Sequence, residues 1–220
     1  MGNIIGIDFS LNSPGICILK EDSMKWISIH RTRNNIPRML KRTDTAFGIL
    51  RKEDSISINL IERETYNGEY YEKERSKIKG GIYFADLIFN EISPYIDDDT
   101  YIGMEGISFG SRGNSLIDIS MSTALLRERI VNKIDSSRLF VIAPTTIKKF
   151  AIKGNAKKDQ LYEAIIEKGK EDKRVNKLSK ILEKNKGNWI KKSGKVEDPC
   201  SDIVDATWIC LYVEDNLGNF

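Results

Sequence analysis

Cysteine is scarce in this 220-residue sequence. There are three, Cys17, Cys200 and Cys210, widely spaced and odd in number. That speaks against a disulfide frame or a zinc knuckle and points to reduced thiols in a cytosolic compartment. Histidine is scarcer still: His30 is the only one, at a strand end beside Arg31, and it is given no catalytic role. No apolar run approaches the length of a membrane span. The opening Met1-Gly2-Asn3-Ile4-Ile5 has neither the basic region nor the long apolar stretch of a secretory signal. The expectation is a cytoplasmic chain with no membrane partner. No internal repeat is evident.

What is present is an ordinary globular balance, 40% hydrophobic and 30% charged, enough for a sizeable core. The net charge of +3 conceals an asymmetry. Between Lys148 and Lys195 there are 16 Lys and Arg against 6 Asp and Glu, a local +10. Subtracting these from totals of 35 and 32 leaves 19 against 26 elsewhere, or −7. One basic segment on an acidic body fits either a polyanion-binding face or a solvated, lysine-rich helical hairpin.

Hydropathy patterning gives the order of elements. Asn3 to Asp8, Ile16 to Leu19 and Trp26 to Ile29 are short apolar runs joined by turn signals, among them Asn12-Ser13-Pro14-Gly15. They predict an antiparallel meander. Ser55 to Ile61 alternates as a further strand would. Helical spacing runs from Tyr70 to Ile92, although Gly80-Gly81 weakens it. Tyr101 to Glu105 reads as a buried strand, Ser115 to Ile134 as an amphipathic helix and Leu139 to Ala143 as another buried strand. Thr145 to Lys195 is basic and helical, with breaks expected near Gly154-Asn155 and Gly187-Asn188. A last helix runs from about Pro199 to Val213, with Asp198 as N-cap and Pro199 at its first position. The sum is one α/β domain over residues 1–220: a mixed sheet of a three-strand antiparallel meander plus parallel βα units, flanked by helices.

Four carboxylates stand out in this frame. Asp8 and Glu105 each end a strand. If the two strands are parallel neighbours, both acids emerge at the edge where ligand sites of such sheets lie. Asp202 and Asp205 are three apart on a helix and share a face. If that helix packs beside the first strand, all four acids converge. They would raise one another's pKa, and hard divalent cations would relieve the repulsion. Two Mg²⁺ roughly 3.5–4 Å apart can activate a water and stabilise the leaving 3′ oxygen of a phosphodiester. Simpler roles remain open: a turn acid for Asp8, a loop cap for Glu105, a helix-dipole partner for Asp202. Asp205, between Val204 and Ala206, is harder to dismiss, because an acid among apolar residues needs a partner.

In sequence order, these pieces resemble the RuvC family of Holliday junction resolvases, of the ribonuclease H-like superfamily. They are Gly6-Ile7-Asp8 with the turn reaching Gly15, Ile102-Gly103-Met104-Glu105, and the small-residue helix Ser120 to Arg127. Val141-Ile142-Ala143-Pro144 leading to Lys148, Gly154 to Gln160 with its Lys157-Lys158 pair, and Asp202-Ile203-Val204-Asp205-Ala206 complete the set. The resemblance spans nearly the whole chain. It implies a ribonuclease H-like fold and a crossover-junction endonuclease with two Mg²⁺ per site, Mn²⁺ substituting. Asp8, Glu105, Asp202 and Asp205 would be the catalytic metal ligands. Lys148 and Lys158 would lie at the scissile phosphate, within a nucleic-acid-binding set of Lys148, Lys149, Lys153, Lys157, Lys158, Phe109 and Arg112. The implied partner is branched DNA, a four-way junction, cut by a homodimer. There are departures. Where the family places an aromatic wedge three residues after the glutamate, this chain has Ser108, with Phe109 one later. The segments at about 31–97 and 168–195 look like insertions, which resemble phage and other viral members; a viral protein would act in the host cytoplasm. Gly6-Ile7-Asp8 also fits a sugar-kinase or actin-like ATPase, which needs a second domain and usually a longer chain, and a ribonuclease H acting on RNA–DNA hybrids. A DNA-binding module without activity on the same fold would have no reason to keep four acids.

Overall fold

The structure is a computed structural model. It describes residues 2–32, 36, 45–63, 67–107, 114–191 and 193–218. Three strands form the meander expected from the sequence: β1 (Ile4–Asp8), β2 (Gly15–Lys20) and β3 (Ser23–Thr32). β3 is longer than the apolar run alone predicts. Its alternation continues through Met24 at one end and Arg31 at the other, so polar residues extend the ladder without losing register. β4 (Ile56–Glu62), β5 (Tyr101–Glu105) and β6 (Leu139–Ile142) complete a sheet of order β4-β3-β2-β1-β5-β6. The β1–β2 and β2–β3 pairs are antiparallel, whereas β3–β4, β1–β5 and β5–β6 are parallel. This is the ribonuclease H-like mixed sheet anticipated above, with β4 added at one edge.

The sheet is flanked by the helices α1 (Ala46–Leu50), α2 (Tyr70–Ile92), α3 (Asn114–Val131), α4 (Pro144–Ala151), α5 (Lys158–Glu171), α6 (Asn176–Trp189) and α7 (Cys200–Asn216). Strand alternation sorts the core into two layers. Ile5, Ile7, Ile27, Ile29, Ile102 and Met104 face α2 and α3. Ile4, Cys17, Leu19, Met24 and Trp26 face α7 and the helices beyond it. Gly80-Gly81 does not break α2, because both are buried; a methyl at Gly81 would lie 3.2 Å from Ser122 Oγ of α3. A close approach of two helices outweighs roughly 1 kcal/mol of lost helix propensity. No helix among the described residues is long and apolar enough to cross a membrane. All three cysteines are buried and free.

α6 ends within a residue of the expected break at Gly187-Asn188: both lie in its last turn, which closes at the buried Trp189. A further break, at Asp172 to Val175, has no counterpart in the sequence reading; there Arg174 pairs with Asp172 and with Glu214 of α7. One expectation fails: Asp198 is not the N-cap of the last helix. Pro199 holds that position without a side-chain cap, and the Asp198 carboxylate instead accepts the Ser201 hydroxyl at 3.2 Å.

Candidate functional site

The site depends on how closely α7 lies against the sheet. Gly6 and Gly15 permit it. A Cβ on Gly6 would sit 2.4 Å from the Ala206 carbonyl oxygen, and one on Gly15 would sit 2.1 Å from that of Asp202. Neither distance is possible for real atoms, so only glycine fits. The helix is fixed in rotation by a buried hydrogen bond, Trp26 Nε1 donating to Thr207 Oγ1 at 2.9 Å. This turns Asp202 and Asp205 toward the end of β1. Asp8 follows Gly6 by two, so it faces the same side of the sheet. β1 and β5 are parallel with Ile7 opposite Met104, which places Glu105 beside Asp8. The four acids found in the sequence therefore come from β1, β5 and α7 to one sheet edge.

Their electrostatics follow from burial. Asp8, Asp202 and Asp205 are each less than a tenth exposed. Burial, and then the neighbouring Asp8 charge, push the Glu105 carboxyl up to about 7; the lysines Lys158 and Lys148 oppose this. Burial and Asp8 likewise raise Asp202 to about 7, against a hydrogen bond from the Ser13 hydroxyl. Burial also raises Asp8, with Lys158 and a hydrogen bond to Glu105 pulling the other way. Carboxylates this close cannot all ionise without a cation. The cation in place is Lys158, whose ammonium is paired with Asp205. Among the described residues, no three acidic, histidine or cysteine side chains gather tightly enough to grip an ion as they stand. The donor chemistry nevertheless suits a hard divalent cation: buried carboxylate oxygens, with the Glu105 and Asp202 carboxyls pushed up to about 7 chiefly by burial. Lys158 is 47% exposed, so its ammonium is open to solvent on the side away from Asp205.

Two cavities open on this cluster. One, of about 170 Å³, is lined by Glu105, Asp205, Lys148 and Lys158, with Ile147 and Leu161 behind them. A broader one, of about 670 Å³, is lined by Lys148, Lys157, Lys158 and Lys195 and reaches Asp198 and Asp202. Lys148, Lys157 and Lys158 thus meet the acids as anticipated. Lys149 and Lys153 line neither cavity and are exposed elsewhere. Phe109 and Arg112 lie outside the described residues. Sequence reasoning missed Ser13, which reads only as part of a turn, and Lys195, which reads only as part of a charge run. It also missed what Gly6 and Gly15 are for, the room they make for α7. Two small residues facing one layer of a sheet were the available signal.

The fold and site define a ribonuclease H-like sheet with a buried acidic cluster at its edge and lysines above it. No family model and no curated protein matches the chain. Among solved structures, Thermus thermophilus RuvC is similar at 10% identity and a TM-score of 0.47, over 98% of this chain and 96% of that one. T. thermophilus RuvC in complex with a Holliday junction substrate is similar at 12% identity and a TM-score of 0.46, over 99% and 97%. Likeness at this level says nothing of activity; the geometry of the acids and lysines carries the functional reading.

Proposed function

We propose that the chain is a divalent-cation-dependent endonuclease of the RuvC-like kind that cuts branched DNA. One observation carries the reading: Asp8, Glu105, Asp202 and Asp205 converge from two parallel strands and a helix, under lysines that open to solvent. Such a cluster is electrostatically unfavourable by itself, and nothing in the packing requires it. Asp8 and Glu105, with Asp202 and Asp205, would hold the Mg²⁺ or Mn²⁺ ions. When bound, these supply an activated water and stabilise the leaving 3′ oxygen. The chain's own residues do the rest. Ser13 holds Asp202 in one orientation. Lys148, Lys157 and Lys158 receive the phosphates of the cut strand, Lys158 exchanging its carboxylate partner for a phosphate oxygen. Ile147, Leu161 and Ile209 keep one wall of the smaller cavity dry, which strengthens every charge interaction there. The sequence resemblance supports the finer points of the proposal: four-way junctions as substrate, a homodimer, a viral-type member in a host cytoplasm.

The test is a cleavage assay with a four-way junction, a fork, a linear duplex and an RNA–DNA hybrid, each in Mg²⁺, Mn²⁺, Ca²⁺ and EDTA. Cutting of the branched substrates in Mg²⁺ or Mn²⁺, and none in Ca²⁺ or EDTA, is expected, because Ca²⁺ takes a larger, looser shell that misplaces the water. Preference for the hybrid would move the reading to a ribonuclease H. Robust cutting in EDTA would end the metal proposal.

A further inference from the structure

The acids sit at one end of the sheet, on its α7 side. The opposite side of the same end carries a separate cationic cavity, of about 80 Å³, lined by Leu11, Asn12, Arg31, Arg63, Lys77 and residues of α2 and α3. Its position is fixed by strand direction and alternation. β3 and β4 are parallel to each other and, like β1 and β5, run toward the acidic edge. Arg31 follows Ile27 and Ile29 on the α2–α3 side of β3, and Arg63 follows Ile61 on the same side of β4. The cavity wall holds three cations against one carboxylate, Asp118, a local +2. Lys77 is 3.6 Å from Asp118 and is also bonded to Glu74, so its charge is largely offset. Arg31 stacks on Phe84, 4.8 Å from the ring centre, and donates to the Leu11 carbonyl. Arg63 is exposed, with no side-chain partner among the described residues.

The turn after β1 joins this cavity to the acids. Its Ser13 hydroxyl donates to Asp202 on one side of the sheet. On the other side its Asn12 carbonyl accepts the Arg31 amide at 2.7 Å, and Leu11 and Asn12 line the cavity. The sheet edge is therefore a partition with a cationic recess on each face, the acids lying on the α7 face with the lysines. A straight duplex lying along that face would leave the opposite recess unused. We infer that Arg31 and Arg63 bind backbone phosphates of a second nucleic-acid arm, diverging from the arm held by Lys148, Lys157 and Lys158. This rests on the nuclease reading and adds to it a structural basis for choosing branched substrates.

The experiment is equilibrium binding of the full chain, in EDTA, to a four-way junction and to a linear duplex of one arm's sequence, over a range of salt. Arg63→Gln is the principal variant, because an exposed side chain can be changed without loss of fold; Arg31→Gln/Arg63→Gln is the stronger one. Each phosphate that is no longer neutralised makes the slope of log K against log salt shallower by about 0.9, roughly eightfold in affinity over a tenfold salt range. That change is expected on the junction and not on the linear duplex. An unchanged junction slope and affinity overturns the inference. So does an equal change on both substrates, since one groove would then serve both. The outcome is independent of cleavage: a protein that cuts nothing in Mg²⁺ defeats the nuclease reading while this contrast can still be measured.

Discussion

Glu105→Gln separates the electrostatic account of the site from a purely steric one. The Glu105 carboxyl is held at about 7 in the folded protein, against roughly 4.3 in an unfolded chain. Its folded form binds the proton more tightly, so folding is weakened as pH rises from the unfolded value toward 7, and the loss is complete above it. Working the linkage between pH 5 and pH 8 gives a loss of roughly 2–3 kcal/mol from this group alone. Glutamine is nearly isosteric and does not titrate. It also removes the charge that pushes Asp8 and is pushed by it. Without metal, Glu105→Gln should therefore gain roughly 2–3 kcal/mol over the native protein on going from pH 5 to pH 8, or roughly 4–12 °C in Tm for a domain of this size. The assay is urea unfolding in EDTA at pH 5, 6.5 and 8, with m checked for constancy. Millimolar Mg²⁺ should then narrow the difference at pH 8, because the cation stabilises the native carboxylate set and the variant has lost one ligand. A stability difference that is the same at pH 5 and pH 8 would refute the reasoning: Glu105 would then be an ordinary, solvated carboxylate.

Gly15→Ala should destabilise the fold by about 1–3 kcal/mol, since its methyl would overlap the Asp202 backbone, and should abolish Mg²⁺-dependent cutting; Gly187→Ala, which meets open space, should stabilise α6 by roughly 0.5–1 kcal/mol. Thermal melts of both variants check this, and equal effects would remove the case for close packing of α7 on the sheet. Asp8→Asn and Asp205→Asn should each stop cleavage of a four-way junction while leaving its binding intact or tighter, as gel shifts in EDTA will show; a cutting variant excludes that acid from the site. Asp198→Asn should cut normally, for its carboxylate accepts the Ser201 hydroxyl, a bond that an asparagine side-chain oxygen accepts equally. Lys157→Ala/Lys158→Ala should flatten the salt dependence of binding by about 0.9 for each phosphate left unneutralised, on linear and branched DNA alike, and an unaltered slope would move the DNA off this face.

Apolar runs and helical spacing were enough to read the strands and most helices, because burial on both faces of a central sheet leaves near-continuous apolar runs. The strand ends Asp8 and Glu105 were legible for the same reason: a charge that terminates such a run sits where the sheet meets solvent or a ligand. Their convergence with Asp202 and Asp205 was a conditional inference, and the parallel β1–β5 register and the rotation of α7 supply the conditions. What stayed hidden depends on partners distant in sequence. The break at Asp172 needs Arg174 to reach Glu214, 40 residues on. Gly80-Gly81 looks like a weakness until α3 is laid across it. Asp198 is not the cap because α7 starts one residue after Pro199, so the proline itself stands at the cap position. The recess of Arg31, Arg63 and Lys77 draws on two strands and two helices and leaves no local pattern.

The buried acids of α7 have a consequence for how such a protein changes over generations. Asp202 lies in the helix that clamps the sheet, and burial beside Asp8 penalises its charge. On the nuclease proposal that penalty is tolerated for the sake of the cation. A lineage that stopped cutting DNA would be free to replace Asp202 by a neutral residue that still accepts the Ser13 hydroxyl, and would gain stability at neutral pH by doing so. Asp205 differs, because its loss would leave the Lys158 ammonium without a carboxylate. Disuse would be written first at Asp202, well before the surrounding core of Ile203, Val204, Ala206 and Ile209 showed any sign of it.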